Sequence, residues 1–359
     1  MNFFDSFNLN KLPNNDYLLS LLNKTLKVLD SEVDVEYRPK SNDENLGGFL
    51  QFDDDLPTIL VPDLHARYNF LKKLLAFKKL PNQNSSVYEL LKAKKLRVIC
   101  LGDGLHSEKR QRQRWLDAYD EFLKGNFINK YIKNEMAEGL NLMSLVMETK
   151  CSFPSMFHFL KGNHENILNE TANGNFSFFK FASEGEMVFD FMVNYYGIEI
   201  TELYSEFESK LPLFVKGKNF LASHAEPAFY MNKNQLINSM KDEEIIKALT
   251  WTRNGDVEDL PAVEMLDEFL PDYKNSFYFA GHRPVSENFE LRENGRFVQI
   301  HNPDRMNVVY IDPNRNFNFE NDIIISAKNM GKRYQSNKNH VNVMSALALT
   351  IFDKTKVLH

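Results

Sequence analysis

Three features of the sequence predict an α/β fold. Short apolar runs recur along the chain, helical stretches separate them, and a polar loop carrying glycine, aspartate or histidine follows most of them. Such strands lie buried between helical layers.

The elements follow in order. Leu18, Leu19, Leu21, Leu22, Leu26, Val28 and Leu29 recur near helical spacing, so residues 14–31 read as a helix, with Asn14 and Asn15 as cap candidates. The polar segment 39–48 is rich in turn residues. Strands are then expected at Thr58–Val61, 97–101, 157–160, Phe220–Ser223, Phe277–Ala280, 308–311 and 323–326. The last of these and the run 346–352 are expected to complete a sheet edge. Residues 107–150 carry helical periodicity and no strand pattern, with an apolar stripe that includes Trp115, Tyr119, Phe122 and Ile132. Their leading octet, 107–114, holds one acid and four bases. It reads either as a solvated helix start or as a cationic rim for an anionic substrate. There is no internal repeat and no low-complexity tract.

Composition narrows the class. The 359 residues, 43% hydrophobic and 26% charged, suit about two domains or one large α/β unit. They exclude a disordered, collagen-like or coiled-coil chain. Thirty Phe and fourteen Tyr are enough for an aromatic core. A net charge of −6 gives no global basic field, so duplex nucleic acid is not an expected partner. No apolar run approaches about 18 residues, so no membrane span is expected. The N-terminus has no basic region followed by an apolar core, as a signal peptide would. The two cysteines, Cys100 and Cys151, cannot form a disulfide framework, and Cys100 reads as a buried thiol. The expected compartment is the cytoplasm.

The chemistry is concentrated after the strands. Pro62-Asp63-Leu64-His65 follows the first, Gly102-Asp103-Gly104-Leu105-His106 the second, and Lys161-Gly162-Asn163-His164-Glu165 the third. Ser223-His224 and Gly281-His282-Arg283 follow later ones. Five of the nine histidines fall in these five loops. α/β sheets place their sites at the carboxyl ends of strands. Carboxylate oxygen and neutral imidazole nitrogen suit Mn2+, Fe2+ and Zn2+. Two such ions about 3.5–4 Å apart clamp a phosphate and acidify a bridging water. Each motif alone is weak. The ordered set of five is what points to a metal site. His158 reads as structural, His301, past the last motif, as a surface turn with approach to the cleft as the alternative, and His340 and His359 receive no role.

That ordered set resembles the calcineurin-like metallophosphoesterases, and most closely their phosphoprotein phosphatase branch, which includes Ser/Thr phosphatases and symmetric dinucleoside tetraphosphatases. The resemblance covers roughly residues 56–312. Gly162-Asn163-His164-Glu165 is intact, Leu211-Pro212-Leu213 precedes His224 as in that branch, Ala248-Leu249-Thr250-Trp251 is similar to its Leu-x-Trp stretch, and Gly281-His282 to its last histidine motif. The resemblance implies a four-layer sandwich, two central sheets flanked by helices. It implies a binuclear centre in which Asp63, His65 and Asp103 hold one divalent metal ion, while Asp103, Asn163, His224 and His282 hold the second. It implies His164 as general acid and in-line attack by a metal-bridging hydroxide on a phosphomonoester.

Departures from the pattern are specific. Pro62 and Ala66 stand where the first motif has glycines. His106 and Ser107 stand where the second has Asp and Arg. His106 brings no negative charge to His164. It either hydrogen-bonds His164, protonates a leaving group, or takes no catalytic part. The missing arginine leaves Arg253, Arg67 and Arg283 as candidates for phosphate binding, because a guanidinium fork matches two phosphate oxygens. The expected organisation is a helical extension over 1–47, a catalytic domain over 48–330 with 107–150 inserted as a helical cap, and a C-terminal segment over 331–359 packed on the domain. The cap would select substrates or dock a partner. The expected function is a phosphomonoesterase of the Ser/Thr protein phosphatase kind. Ser223-His224-Ala225-Glu226-Pro227 also resembles a run of the dinucleoside tetraphosphatases, which keeps a nucleotide or dinucleoside polyphosphate hydrolase as the alternative. A non-catalytic, metal-bound pseudophosphatase that binds a partner is the reading of another class.

Overall fold

Alternation along the strands sets the layers, because successive side chains of a strand point to opposite faces. A computed structural model describes residues 11–325 apart from Asn82 and Glu258. The strands are β1 (Phe49–Gln51), β2 (Thr58–Val61), β3 (Arg97–Cys100), β4 (Phe157–Phe159), β5 (Phe214–Lys216), β6 (Phe220–Ser223), β7 (Phe277–Ala280), β8 (Glu290–Arg292), β9 (Phe297–Gln299), β10 (Asn307–Ile311) and β11 (Ile323–Ile325). They form a five-stranded sheet, β11-β10-β2-β3-β4, and a six-stranded sheet, β1-β5-β6-β7-β9-β8. Leu60 and Ile99 of one sheet meet Ala222, Phe279 and Val298 of the other in an apolar interior. Ile59, Val61, Val98 and Cys100 turn to the opposite face, toward helices. Leu221, Tyr278 and Phe297 do the same on the second sheet. The result is the expected four layers, helices–sheet–sheet–helices.

The first helical layer holds α1 (Asn15–Asp30), α2 (Tyr68–Ala76), α3 (Val87–Lys92), α4 (Arg112–Phe122), α5 (Lys130–Ser152), α6 (Glu184–Tyr196) and α7 (Ile198–Ser209). The second holds α8 (Lys233–Ile237), α9 (Glu243–Thr250) and α10 (Pro261–Phe269), and the short α11 (Phe319–Asp322) leads into β11. The Asn14 side chain accepts from the Tyr17 amide at 2.8 Å, so α1 starts after Asn14 as its sequence suggests. Leu18, Leu21, Leu22, Leu26 and Leu29 of α1 are buried against α5 and α7, and each contributes about 1.5–3 kcal/mol. The N-terminal segment is thus packed into the first core.

A buried ion cluster fastens the same segment. Glu32 accepts from the Arg38 guanidinium at 2.7 Å and from the Lys150 ammonium of α5. The Tyr37 hydroxyl donates to it at 3.1 Å. Arg38 spends its remaining donors on the carbonyls of Gly47 and Lys210, and Lys150 on that of Pro154. Every charge in the cluster has partners. Burial alone would raise the Glu32 pKa, but Lys150 and Arg38 hold it down at about 2. His158 lies beside Lys150, a structural residue as expected.

One expectation is corrected here. Residues 107–150 do not stand off as a cap. α5 is buried along most of its length, packs on α1, α2, α4 and α6, and is a layer of the domain. The loop after β3 rests on both helices: Trp115 of α4 packs on His106, and Glu135 of α5 accepts from the Ser107 amide at 2.7 Å. Within the basic segment, Arg110 and Arg114 are neutralised by Glu138 and Glu135 of α5. β11 pairs with β10 at the sheet edge as expected, while 331–359, and with it the run 346–352, lies outside the described residues. Among the described residues no helix is long and apolar enough to cross a membrane.

Candidate metal centre

Parallel pairing gathers the motif loops. β2, β3 and β4 run parallel in one sheet, and β6, β7 and β9 in the other. Their carboxyl ends deliver Asp63 and His65, Asp103, Asn163 and His164, His224, His282 and, after β9, His301. All but His282 are buried. Glu165 pins two of the loops together. Its carboxylate accepts from the amides of Asp103, Gly104 and Gly162 at 2.7–2.9 Å. Glycine is required where the carboxylates come closest. A Cβ on Gly162 would lie 2.3 Å from Asp103 Oδ1, and one on Gly281 would lie 2.0 Å from Asp63 Oδ1.

Each carboxylate has one oxygen fixed and one aimed inward. Asp63 Oδ1 accepts from the His282 amide at 2.9 Å, while buried Oδ2 has no hydrogen-bond partner. Asp103 Oδ1 accepts from the His164 amide at 3.0 Å. Asp103 Oδ2 lies 3.6 Å from His65 Nε2, 3.5 Å from His224 Nε2 and 3.7 Å from His164 Nε2. Three groups of donor atoms result: Asp63, His65 and His301; His65, Asp103 and His164; and Asp103, His224 and His282. Asp103 therefore stands between the two ends of the cluster.

The imidazoles are oriented from behind. His65 Nδ1 donates to the His106 carbonyl at 3.0 Å, and His224 Nδ1 to the Leu101 carbonyl at 2.8 Å. Each bond leaves Nε2 as a lone pair turned inward. For His224 that lone pair faces another acceptor, Asn163 Oδ1, at 3.0 Å. His282 Nδ1 approaches the same oxygen at 2.9 Å. The His224 lone pair and the Asn163 oxygen are both acceptors, an arrangement that a cation between them satisfies. The donor types, carboxylate oxygen, amide oxygen and imidazole nitrogen, fit borderline divalent metals.

Electrostatics say the same. Burial would lower the His65 pKa, but Glu108, Asp63 and Asp103 raise it to about 9, so positive charge is favoured at that nitrogen. Burial, with Asp63 and Glu165 nearby, pushes the Asp103 carboxyl up to about 7. Asp63 is held well below the usual carboxylate range, against burial, by His301, His65 and His224. Burial, with the surrounding imidazoles, lowers His164 and His282. Burial and then His65 bring His106 down to about 3.

His106 does not reach His164 by a hydrogen bond. Their rings are 4.8 Å apart, Nδ1 of each is without a partner, and both pack against Phe178. Trp115 covers His106 from the other side. Of the arginines, Arg67 is engaged with Glu108 at 2.9 Å. Arg283 follows His282, its Nε has no partner, and after burial the nearby Arg253 lowers its pKa. Two guanidiniums held within mutual repulsion suit an anion.

Two residues at the site escaped sequence reasoning. His301 is not on a surface turn; it is 1% exposed and 3.8 Å from Asp63 Oδ2. Its signal was present, a histidine just past an apolar strand, but Gln299 interrupts the run and no glycine marks the loop. Glu108 was hidden as the one acid of a basic octet. Backbone strain concentrates here too. His65, Ala66, Asp103, His106, Glu108 and His282 have φ between 41° and 64°, at about 1–3 kcal/mol each. Ala66 is where the resembling motif has glycine.

The family model for the calcineurin-like phosphoesterases matches residues 56–286. Among solved structures, a protein serine/threonine phosphatase from Saccharomyces cerevisiae with similarity to human phosphatase PP5 is 13% identical, with a TM-score of 0.54 over 88% of this chain and 89% of that one. A cold-active protein-tyrosine phosphatase of a psychrophilic Shewanella species is 12% identical, with a TM-score of 0.43 over 74% and 78% of the two chains. A putative diadenosine tetraphosphatase is 11% identical, with a TM-score of 0.40 over 78% and 97%. The first of these shares the fold; the scores of the other two support no further argument. No curated protein matches the chain.

Proposed function

The chain belongs to the calcineurin-like phosphoesterase family, and on that premise we propose that it hydrolyses phosphomonoesters, with phosphorylated Ser or Thr side chains as the substrate class. The observation that supports this most is Asp103, whose Oδ2 faces His65 on one side and His224 on the other. A carboxylate so placed serves two ions at once. Asp63, His65 and Asp103 would hold the first; Asp103, Asn163, His224 and His282 would hold the second. Mn2+, Fe2+ and Zn2+ all suit these donors. When bound, such a pair supplies Lewis-acid polarisation of the phosphate and a water acidic enough to ionise near neutral pH.

The chain's own groups do the rest. Arg253 and Arg283 grip phosphate oxygens and offset charge that grows in the transition state. His164, its backbone locked to Asp103, would turn Nε2 to the departing oxygen and, as the imidazolium, would give it a proton. His106 acts through His164, keeping its ring in place by packing with Trp115 and Phe178. Apart from the partly exposed His282 and Arg283 and the exposed Arg253, the ligand residues and His164 are buried, which limits bulk water at the reacting centre.

A second reading, hydrolysis of a nucleotide or dinucleoside polyphosphate, draws on Phe179. This ring is 76% exposed next to Phe178 and is free to stack on a base. The docking surface expected over 107–150 reduces to α4 and the turn after it, where Leu123 is 67% exposed. Cys100 and Cys151 are unpaired, in keeping with a reducing compartment such as the cytoplasm.

The test is hydrolysis of p-nitrophenyl phosphate and of its bis-ester, with added Mn2+, by wild type and Asp103→Asn. Monoester turnover that the substitution removes supports the proposal. A preference for the diester turns it toward a phosphodiesterase. Bound metal without turnover of either ester leaves a narrow substrate range or a pseudophosphatase, and lack of phosphopeptide turnover as well refutes the proposal. A phosphopeptide set beside a dinucleoside polyphosphate then separates the two substrate readings.

A further inference from the structure

We propose that His301 and Glu108 are additional ligands of the first metal, so that the two metal sites of this chain differ in charge and in affinity. This rests on the binuclear reading above and extends its ligand set.

The geometry is a ring of donors. His301 Nε2 lies 3.8 Å from Asp63 Oδ2 and 3.4 Å from Glu108 Oε1. His65 Nε2 lies 3.7 Å and 3.4 Å from the same two oxygens. Two imidazole nitrogens thus alternate with two carboxylate oxygens around one point. These separations are long for charge-assisted hydrogen bonds. They are close to what a cation imposes, since metal–donor bonds of about 2.0–2.2 Å set neighbouring donors roughly 3–3.5 Å apart. Asp63 Oδ2 is buried and without a hydrogen-bond partner. An unpaired buried carboxylate oxygen is costly unless something charged meets it.

Each donor is aimed by a separate contact. His65 is turned by the His106 carbonyl. Asp63 is held by the His282 amide. Glu108 gives its other oxygen to Arg67 at 2.9 Å, which leaves Oε1 directed at the two rings. Arg67 is therefore a positioning residue for Glu108. His301 is placed by the end of β9, whose backbone continues into Ile300 pairing with Ala280.

The two sites then differ in formal charge. The first draws on the carboxylates of Asp63, Asp103 and Glu108. The second has only the shared Asp103, with neutral Asn163, His224 and His282. A site with more carboxylates holds a hard divalent ion more tightly. The first site fills first, and it keeps fewer positions open to water.

The test counts Mn2+ on the full-length chain by equilibrium dialysis with elemental analysis. Wild type is expected to bind two ions in two affinity classes. His301→Ala and Glu108→Gln weaken the tighter class by at least about tenfold and spare the weaker. His282→Ala does the reverse. His301→Gln, nearer in size and still able to hydrogen-bond, serves if the alanine variant does not fold. Co2+ gives an independent readout: loss of the His301 nitrogen changes the visible absorption of the first equivalent bound. Two ions bound by His301→Ala or His301→Gln with wild-type affinities overturn this proposal alone. A wild-type chain that binds no metal overturns it together with the binuclear reading.

Discussion

Two clusters of buried charge sit in the same molecule and are built on opposite plans. Around Glu32, every carboxylate oxygen, ammonium and guanidinium meets a partner, and the cluster joins the N-terminal segment to α5. Around Asp103, carboxylate oxygens and imidazole lone pairs face one another, Asp63 Oδ2 has no partner, and the backbone is strained. Buried charge with its partners in place holds a fold in one arrangement, because removing one partner strands the others. Buried charge arranged acceptor against acceptor is tolerated for the sake of a cation. The contrast separates structural from functional polarity without appeal to sequence motifs.

Substitutions break that contrast in opposite directions. Glu32→Gln leaves Arg38 and Lys150 buried without their counter-ion, and should lower stability by about 3–5 kcal/mol in denaturant unfolding. Its kcat should stay near wild type. Asp103→Asn should do the converse: kcat falls by about 10²–10³, a loss of some 3–4 kcal/mol in the transition state. Without metal, stability should not fall, because burial has already pushed the removed carboxylate up to about 7.

Acid sharpens the comparison. The folded pKa of Glu32 is depressed from 4.5 to about 2. Its stabilisation is therefore complete above the unfolded value and is lost as pH falls through that interval. The stability gap between wild type and Glu32→Gln should shrink by about 3 kcal/mol across this window. A gap unchanged at low pH would mean that the carboxylate is not what holds the cluster. The smallest effect concerns strain. Ala66 adopts φ 58°, so Ala66→Gly should relieve left-handed strain, against a gain in unfolded-chain entropy. The net change in unfolding free energy should stay within about 1 kcal/mol.

Much of the site was legible in the sequence because metal ligands obey a local rule. They follow strands; β2, β3, β6 and β7 have four residues each, and the apolar run at β4 extends one residue further in the sequence, to Leu160. Where that rule weakens, so does the reading. Gln299 breaks the run before His301, and its side chain in fact donates to the Gly281 carbonyl beside the site. β1, β5 and β8 have three residues each, too few to show a period. α5 was misread as part of a cap although Leu140, Leu142, Met143, Leu145, Val146 and Met147 surround it with apolar side chains, the mark of a helix buried on all sides. The neutralisation of Arg110 and Arg114 depends on acids more than twenty residues away, which only the fold brings near. The proximity of Arg253 to Arg283 depends on tertiary placement in the same way.

Glu165 makes no contact with the clustered imidazoles, yet its carboxylate holds three amide hydrogens from two different loops. Those amides cannot be released to solvent one at a time without leaving a buried carboxylate underbonded. They should therefore exchange with deuterium as one group, at a rate set by a single opening event shared by the loops after β3 and β4. The centre's lifetime in its assembled form is then a property of that one side chain.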